Sequence, residues 1–310
     1  MKISVIIPVR NAEKSISNAV ESAVQLEEVH EVILIEEESY DNSLKICQEL
    51  TDKYEKVKLF HYFDEKNQGA GSSMNLGIEK ASGDFIAFLN AGDHYLSNRF
   101  DAEKKLFHNP EVDGVYGALG VHYYSEKARG LYYSIYEDHL TTIHQKCPPE
   151  LVFPGLMKLG SLFGDFSINA VTVRKDRLLK KMSVFFKPIQ FHGDTEFLLR
   201  LSYYLNLYSG ILNKPVAMRG ISENSRIYGI APEKIGLISK LILWKELHDW
   251  TDHEDSISTE IKMHTRRMYN SFRIANASFF KKWAMVIKYI MVDYPCIHSD
   301  VYNVNFIDSL

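Results

Sequence analysis

Short apolar runs alternate with helix-period segments along the first part of the chain. Residues 3–7 form a continuous apolar run with many β-branched side chains, stopped by Pro8, the pattern of a buried strand. Ala12, Ile16, Ala19, Val20, Ala23, Val24 and Leu26 then recur at helical spacing. Residues 32–35 read as a second buried strand, and Asp41 and Ser43 stand near the start of a helix carrying Leu44, Ile46, Cys47 and Leu50. Residues 57–62 predict a third strand, a glycine-rich turn from Asn67 opens a helix through about Lys80, and residues 85–89 predict a fourth strand. This alternation predicts a parallel, doubly wound α/β sheet. Ligands in such sheets sit at the carboxyl ends of the strands. The polar segments there are 8–13, 36–43, 66–75 and 90–93.

The middle, about 110–190, is less regular, with a Cys147-Pro148-Pro149 breaker and a loop-rich stretch to Phe166. Residues 194–206 predict a helix with Phe197, Leu198, Leu201 and Tyr204 on its apolar side, and beyond about 228 the pattern is helical. The expected organisation is a sheet domain over 1–227, in two parts, 1–110 and 111–227, then a helical region over 228–310.

Composition narrows the function classes. The 310 residues are 45% hydrophobic and 25% charged, ordinary for a globular protein, which excludes collagen-like and low-complexity chains. With 36 Lys plus Arg against 40 Asp plus Glu, the net charge of −4 lacks the basic excess of a general nucleic-acid binder. Cys47, Cys147 and Cys296 are odd in number and far apart, so they read as reduced thiols in a cytoplasmic protein. The opening MKISVIIPVR is too short an apolar run for a secretory leader, and no stretch reaches the ~20 apolar residues of a membrane span. The 18 Tyr and 17 Phe suit a surface that meets sugar rings.

Five segments carry the candidate chemistry. They are Ile7-Pro8-Val9-Arg10-Asn11; Glu36-Glu37-Glu38-Ser39-Tyr40-Asp41-Asn42-Ser43; Asn67-Gln68-Gly69-Ala70-Gly71-Ser72-Ser73-Met74-Asn75; Asn90-Ala91-Gly92-Asp93; and His192-Gly193-Asp194-Thr195-Glu196. In this order they make residues 1–225 resemble the family 2 glycosyltransferases of the GT-A fold, a Rossmann-like, mostly parallel sheet flanked by helices. The resemblance implies an inverting transfer of a sugar from a nucleotide diphosphate to a hydroxyl of a glycan or lipid-linked acceptor, in bacterial surface polysaccharide synthesis, with 1–110 as the nucleotide-sugar-binding part and 111–227 as the acceptor-binding part.

Within it, the backbone of Pro8 and Val9 packs on the nucleobase; without it, the same residues are a strand-ending turn. Glu37 matches the acid that accepts a hydrogen bond from the base, commonly uracil N3–H, although the family usually reads Asp-Asp-Gly-Ser-Thr-Asp here and Glu38 stands in place of the Gly. The other reading of this segment is a solvated acidic turn. Asp41 is expected to cap the following helix. Asn67 and Gly69 bring backbone N–H groups to the donor; Asn75 is a donor contact or a structural hydrogen-bonder.

At Asn90-Ala91-Gly92-Asp93 the family reads Asp-Ala-Asp-Asp, whose carboxylates hold Mg²⁺ or Mn²⁺ against the leaving diphosphate. Asn90 and Asp93 remain as donor contacts, Asp93 is the metal ligand, and His94 is a nearby candidate. Arg219 and Lys66 are cations able to substitute for metal charge. Asp194 matches the catalytic base and also suits a helix start. Gly193 stands where the family has Glu. Glu196 is the substitute base, and His192 and Glu196 are placed with the acceptor. UDP is the expected carrier, with GDP and dTDP open. A catalytically impaired domain that binds a sugar, a nucleotide or a partner is the other class of reading.

Lys281-Lys282-Trp283 to Met291 reads either as an amphipathic stretch on a membrane surface, which would make the protein peripheral at the inner face, or as a core or homodimer helix.

Overall fold

The computed structural model of the chain describes residues 1–63, 70–159, 164–223 and 233–298. The expected elements form. Strand β1 (Ile3–Val9) is buried along its whole length, and α1 (Ile16–Val24) turns Ile16, Ala19, Val20 and Ala23 inward. β2 (Val29–Glu36), α2 (Ser43–Lys53), β3 (Val57–His61), α3 (Gly71–Lys80) and β4 (Phe85–Phe88) follow. Then come β5 (His94–Tyr95), α4 (Asp101–Leu106), β6 (Gly114–Tyr116), β7 (Ala118–Tyr123), α5 (Glu126–Tyr136), α6 (Val152–Leu156), β8 (Val171–Arg174), α7 (Lys175–Lys181), α8 (Gly193–Tyr204), β9 (Leu207–Ser209) and β10 (Pro215–Ile221).

Seven strands make one sheet in the order β3-β2-β1-β4-β8-β6-β9. All neighbours pair in parallel except around β8, which is antiparallel to both β4 and β6. A three-stranded sheet, β5-β10-β7, lies apart from it. The middle segment is therefore more ordered than its sequence pattern indicates. It supplies β6 and β8 to the main sheet and β7 to the small one.

Because side chains alternate across a strand, β1 feeds two cores. Ile3, Val5, Ile7 and Val9 pack with α1 and with Phe85, Phe100 and Phe107. Ile6 joins Ile33, Ile35, Met74, Ile78, Phe88 and Phe197 on the opposite face. A Cβ on Gly77 would sit 2.3 Å from Ile6 Cγ2, so glycine is what lets α3 lie against β1.

The chain divides into two compact units, Met1–Ser225 and Arg226–Leu310. The second contains α9 (Glu233–His253), α10 (Thr259–Ala275), α11 (Phe279–Val292) and α12 (Pro295–His298). Within it Thr251 and Thr265 share a 2.7 Å hydroxyl bond, and Ser271 donates to the Cys296 carbonyl at 2.8 Å. Arg267 pairs with Asp293 at 2.8 Å. Among the described residues no helix is long and apolar enough to cross a membrane. The three cysteines are buried and unbridged.

Candidate functional site

The loops after β1 and β2 are tied to each other by side chains. Asn11 takes a left-handed φ of 51°; its N–H donates to Ser39 Oγ at 3.0 Å, and its Oδ1 accepts from Tyr40 N–H at 3.0 Å. Ala12 N–H donates to Ser43 Oγ at 2.7 Å, Glu13 N–H to Asp41 Oδ2 at 3.2 Å, and Asn42 N–H back to Glu13 Oε2 at 3.1 Å. Pro8 and Val9 are buried in the strand, and Val9 O accepts from Glu37 N–H at 2.9 Å.

The carboxylate of Glu36 shapes the second loop, accepting from Glu38 N–H at 3.2 Å and Ser39 N–H at 2.6 Å. Glu38 has a φ of 50°, so a non-glycine residue holds the left-handed turn, a strain of about 1–2 kcal/mol that the Glu36 bonds offset. Glu37 is half-buried at the carboxyl end of β2. Asp41 does not occupy the cap position, which is Asn42; it accepts from Ser43 N–H at 2.9 Å. Burial acts to raise the Asp41 pKa, but the Ser43 and Glu13 hydrogen bonds outweigh it and hold the carboxyl below its ordinary value.

Asp93, the expected metal ligand, is a buried carboxylate held by hydrogen bonds from the protein itself. Its Oδ1 accepts from Gly220 N–H at 2.8 Å, and its Oδ2 from the amide nitrogens of Asn90 at 3.1 Å and Asn169 at 2.5 Å. Burial pushes its pKa up, opposed by the Gly220 and Asn90 bonds and by the charge of Arg219. Asn90 N–H donates to Asn169 Oδ1 at 3.0 Å, so Asn169 clamps the whole turn. Asn169 is in turn fixed by the fully buried Arg99, which donates to its carbonyl at 3.1 Å and pairs with Glu103 at 2.6 Å. Gly92 offers no side chain, and a Cβ built there meets nothing within 4 Å. Among the described residues, no three or more His, Cys, Asp or Glu are grouped so as to hold a metal. The one carboxylate of this turn already accepts three internal hydrogen bonds, so Asp93 would meet a divalent ion only together with the donor phosphates.

The small sheet closes one side. Gly220 presses on the turn so tightly that a Cβ there would lie 2.0 Å from the Gly92 carbonyl oxygen. Tyr124 Oη donates to that same carbonyl at 3.2 Å. His94 and His122 meet edge to face with centroids 5.4 Å apart. Burial, helped by His122, lowers the His94 pKa.

Across the site, α8 starts at Gly193 after His192, which has a φ of 61° and is half-buried. Asp194 is exposed, and its Oδ1 accepts from Thr195 N–H at 2.9 Å. One turn on, Phe197 stacks on Phe186 at 4.0 Å and meets Phe88, the last residue of β4, at 5.9 Å. That contact brings the start of α8 to the sheet end that carries Asn90. Glu196, expected at the acceptor, is fully buried instead. It pairs with Arg200 at 2.6 Å and lies 3.4 Å from Lys187. Asn75 clamps the backbone of Phe186, its Nδ2 donating to the carbonyl and its Oδ1 accepting from the N–H, both at 2.9 Å. With Arg200 donating to the carbonyls of Val184 and Phe185, both side chains fix the loop over α3 rather than reach a ligand.

The structure thus brings Pro8, Val9, Glu37, Asn90 and Asp93 to one end of the sheet, and α8, whose first turn holds Asp194, packs through Phe197 on the last residue of β4. Asn67, Gly69 and Lys66 lie outside the described residues. Sequence reasoning missed Asn169, Arg99, Tyr124 and Gly220. Only the neighbouring glycine and arginine at 219–220 carried a signal.

Comparisons with known proteins bear on the family and the fold. An uncharacterized glycosyltransferase of Haemophilus influenzae is 38% identical over 102 residues, 33% of this chain and 40% of that protein. Glycosyltransferase GlyG of Streptococcus pneumoniae is 26% identical over 180 residues, 58% of this chain and 56% of that protein. Each match spans less than two thirds of the relative's own length. In fold the chain is similar to S. aureus TarS 1–349 in complex with UDP-GlcNAc, with a TM-score of 0.60, 17% identity, and coverage of 96% of this chain and 78% of that one. Residues 4–163, more than half the chain, match the profile of glycosyl transferase family 2, and the chain belongs to that family.

Proposed function

We propose that the chain transfers a sugar, with inversion, from a nucleoside diphosphate to a hydroxyl of a glycan or lipid-linked acceptor. The observation that carries this reading is the Glu37 loop and the Asn90 turn at one sheet end, with α8, whose first turn holds Asp194, packed through Phe197 on the last residue of β4. The base lies over Pro8 and Val9, and Glu37 accepts its imide N–H, which makes uracil the fitting base. The UDP and UDP-GlcNAc bound by TarS support the same choice.

Asp194 takes the proton of the acceptor hydroxyl as its oxygen bonds to the anomeric carbon. The bond from that carbon to the diphosphate oxygen breaks on the opposite side, and the nucleoside diphosphate departs. No step is assigned to a metal. Arg219, whose charge already acts on Asp93, is the described cation suited to the leaving phosphates. One contact of that kind is worth about 3–4 kcal/mol in the transition state. Synthesis of a bacterial surface polysaccharide, at the cytoplasmic side of the membrane, is the setting this reading gives the enzyme.

The second reading, a domain that binds a sugar nucleotide or a partner without turnover, is favoured by the internal use of Asp93 and by glycine at 92 and 193. Calorimetric titration with UDP, GDP and dTDP, with Mn²⁺ and with EDTA, followed by a UDP-sugar hydrolysis or transfer assay, separates them. The catalytic reading expects UDP binding unaffected by EDTA, turnover, and an Asp194→Asn variant that binds UDP normally but turns over about 10²–10⁴-fold more slowly. Binding without turnover supports the second reading. No binding to any of the three nucleotides sinks the donor site.

A further inference from the structure

Helix α11 is apolar on two opposite faces. One packs inside its own unit, where Val286 and Tyr289 join Ile274 and Cys296. The other is bare. Phe280 is 86% exposed, Trp283 40%, Ile287 57% and Met291 78%. Their spacing of three to four residues lines them along one side of the helix, with Tyr289 on the opposite side and Val286 between the two. Lys281 and Lys288, seven residues apart and both exposed, run along one border of this stripe.

We propose that α11 lies flat in the interface of an anionic lipid bilayer, with Phe280, Trp283, Ile287 and Met291 in the acyl boundary and Lys281 and Lys288 at the phosphates. Three observations select this occupant. The helix has 14 residues, about 21 Å of rise, too short for the ~30 Å hydrocarbon core, so it lies on a bilayer rather than crossing it. Between Phe279 and Val292 there are three lysines and no acidic residue. A second copy docked through the same face would set lysine against lysine, whereas anionic headgroups supply the missing charge. The stripe also joins Trp and Phe to aliphatic side chains with lysines beside them, the arrangement of helices that lie in membrane interfaces. This inference does not rest on the donor-site reading.

The test is sedimentation of the full chain with vesicles of phosphatidylcholine alone and of phosphatidylcholine mixed with phosphatidylglycerol. The expected result is binding to the mixed vesicles, weakened by high salt. Trp283→Glu with Ile287→Glu should weaken it by more than about tenfold, and Lys281→Glu with Lys288→Glu by at least about fivefold per position. All four positions are exposed, so unchanged thermal midpoints are expected, and the lysine variants carry the test if the apolar pair fails to fold. Absence of binding to mixed vesicles overturns the proposal, as does binding that survives both pairs of substitutions. Sedimentation of the wild type as a dimer that Trp283→Glu with Ile287→Glu makes monomeric assigns the face to a second copy instead.

Discussion

Replacing Asp93 by alanine separates a structural carboxylate from a metal ligand. The substitution strips acceptors from Gly220 N–H, Asn90 Nδ2 and Asn169 Nδ2, which now bond at 2.8, 3.1 and 2.5 Å. A buried donor left without a partner costs about 1–3 kcal/mol, so three give an upper range of about 3–9. Two effects reduce it: removing the carboxylate recovers the desolvation that raises its pKa, and water enters the space to serve part of the donors. A net loss of about 3 kcal/mol is expected. For a unit the size of Met1–Ser225 that lowers the thermal midpoint by roughly 6–12 °C. Calorimetric or circular-dichroism melting measures it directly. Asp93→Asn is a sharper variant. It keeps the shape but in either orientation turns an amide nitrogen toward at least one N–H group, so it too should melt early. An Asp93→Ala protein that melts within about 1 °C of wild type would refute the reasoning and return Asp93 to the open site as a ligand.

Gly220→Ala drives a methyl group to 2.0 Å from the Gly92 carbonyl oxygen and 2.6 Å from the Tyr124 ring. It should cost about 1–3 kcal/mol and weaken nucleotide binding, and a wild-type melting curve would contradict the packing described. Gly92→Asp, by contrast, enters open space and should leave the midpoint nearly unchanged. Combined with Asn90→Asp it should create UDP binding that Mn²⁺ strengthens and EDTA reverses, and titrations identical to wild type would count against the alignment of this turn with the family's carboxylates.

Glu31 predicts an acid limb of stability. Burial acts to raise its pKa, but bonds from Lys58, Ser4 and Ser82 outweigh it and hold the carboxyl at about 2. Its contribution is present above the ordinary value of about 4.5 and is lost as pH falls toward about 2. The shift corresponds to about 3 kcal/mol, reduced to about 2 by screening at the half-exposed Lys58. Urea midpoints of wild type and Glu31→Gln should therefore converge as pH falls through that window, and parallel profiles would reject the assignment.

The first four strands were legible because each is a short run rich in apolar residues, the first broken only by Ser4 and the third by Lys58 and His61, with a helix-period segment beside it. β6, β8 and β9 were not, since strands of three or four residues leave no period to read and gain their place only by pairing with distant strands. The candidate site residues differ in how far their surroundings can be read. Asp194 and Glu37 lie where a loop meets a regular element, which sequence position locates. Asn75 and Glu196 look equally polar in the sequence. Their role is decided by partners such as Phe186, 111 residues from Asn75, and by the burial of an i, i+4 pair inside α8. Arg99 and Asn169 escaped for a related reason. A fully buried arginine is stable only because carbonyls and Glu103 surround it, and none of those contacts is local except the last.

The reciprocal bonds between the loops after β1 and β2 have a consequence for exchanging specificity. Asn11 binds Ser39 and Tyr40, Ala12 binds Ser43, and Glu13 binds Asp41 and Asn42, so each loop completes the other's backbone hydrogen bonding. Neither behaves as a separate cassette. A graft that swaps 37–43 from a relative while keeping 10–13 leaves several N–H groups of the host loop facing the wrong partners. A change of base preference by recombination has to move both segments together, and natural variation in one should be matched by variation in the other.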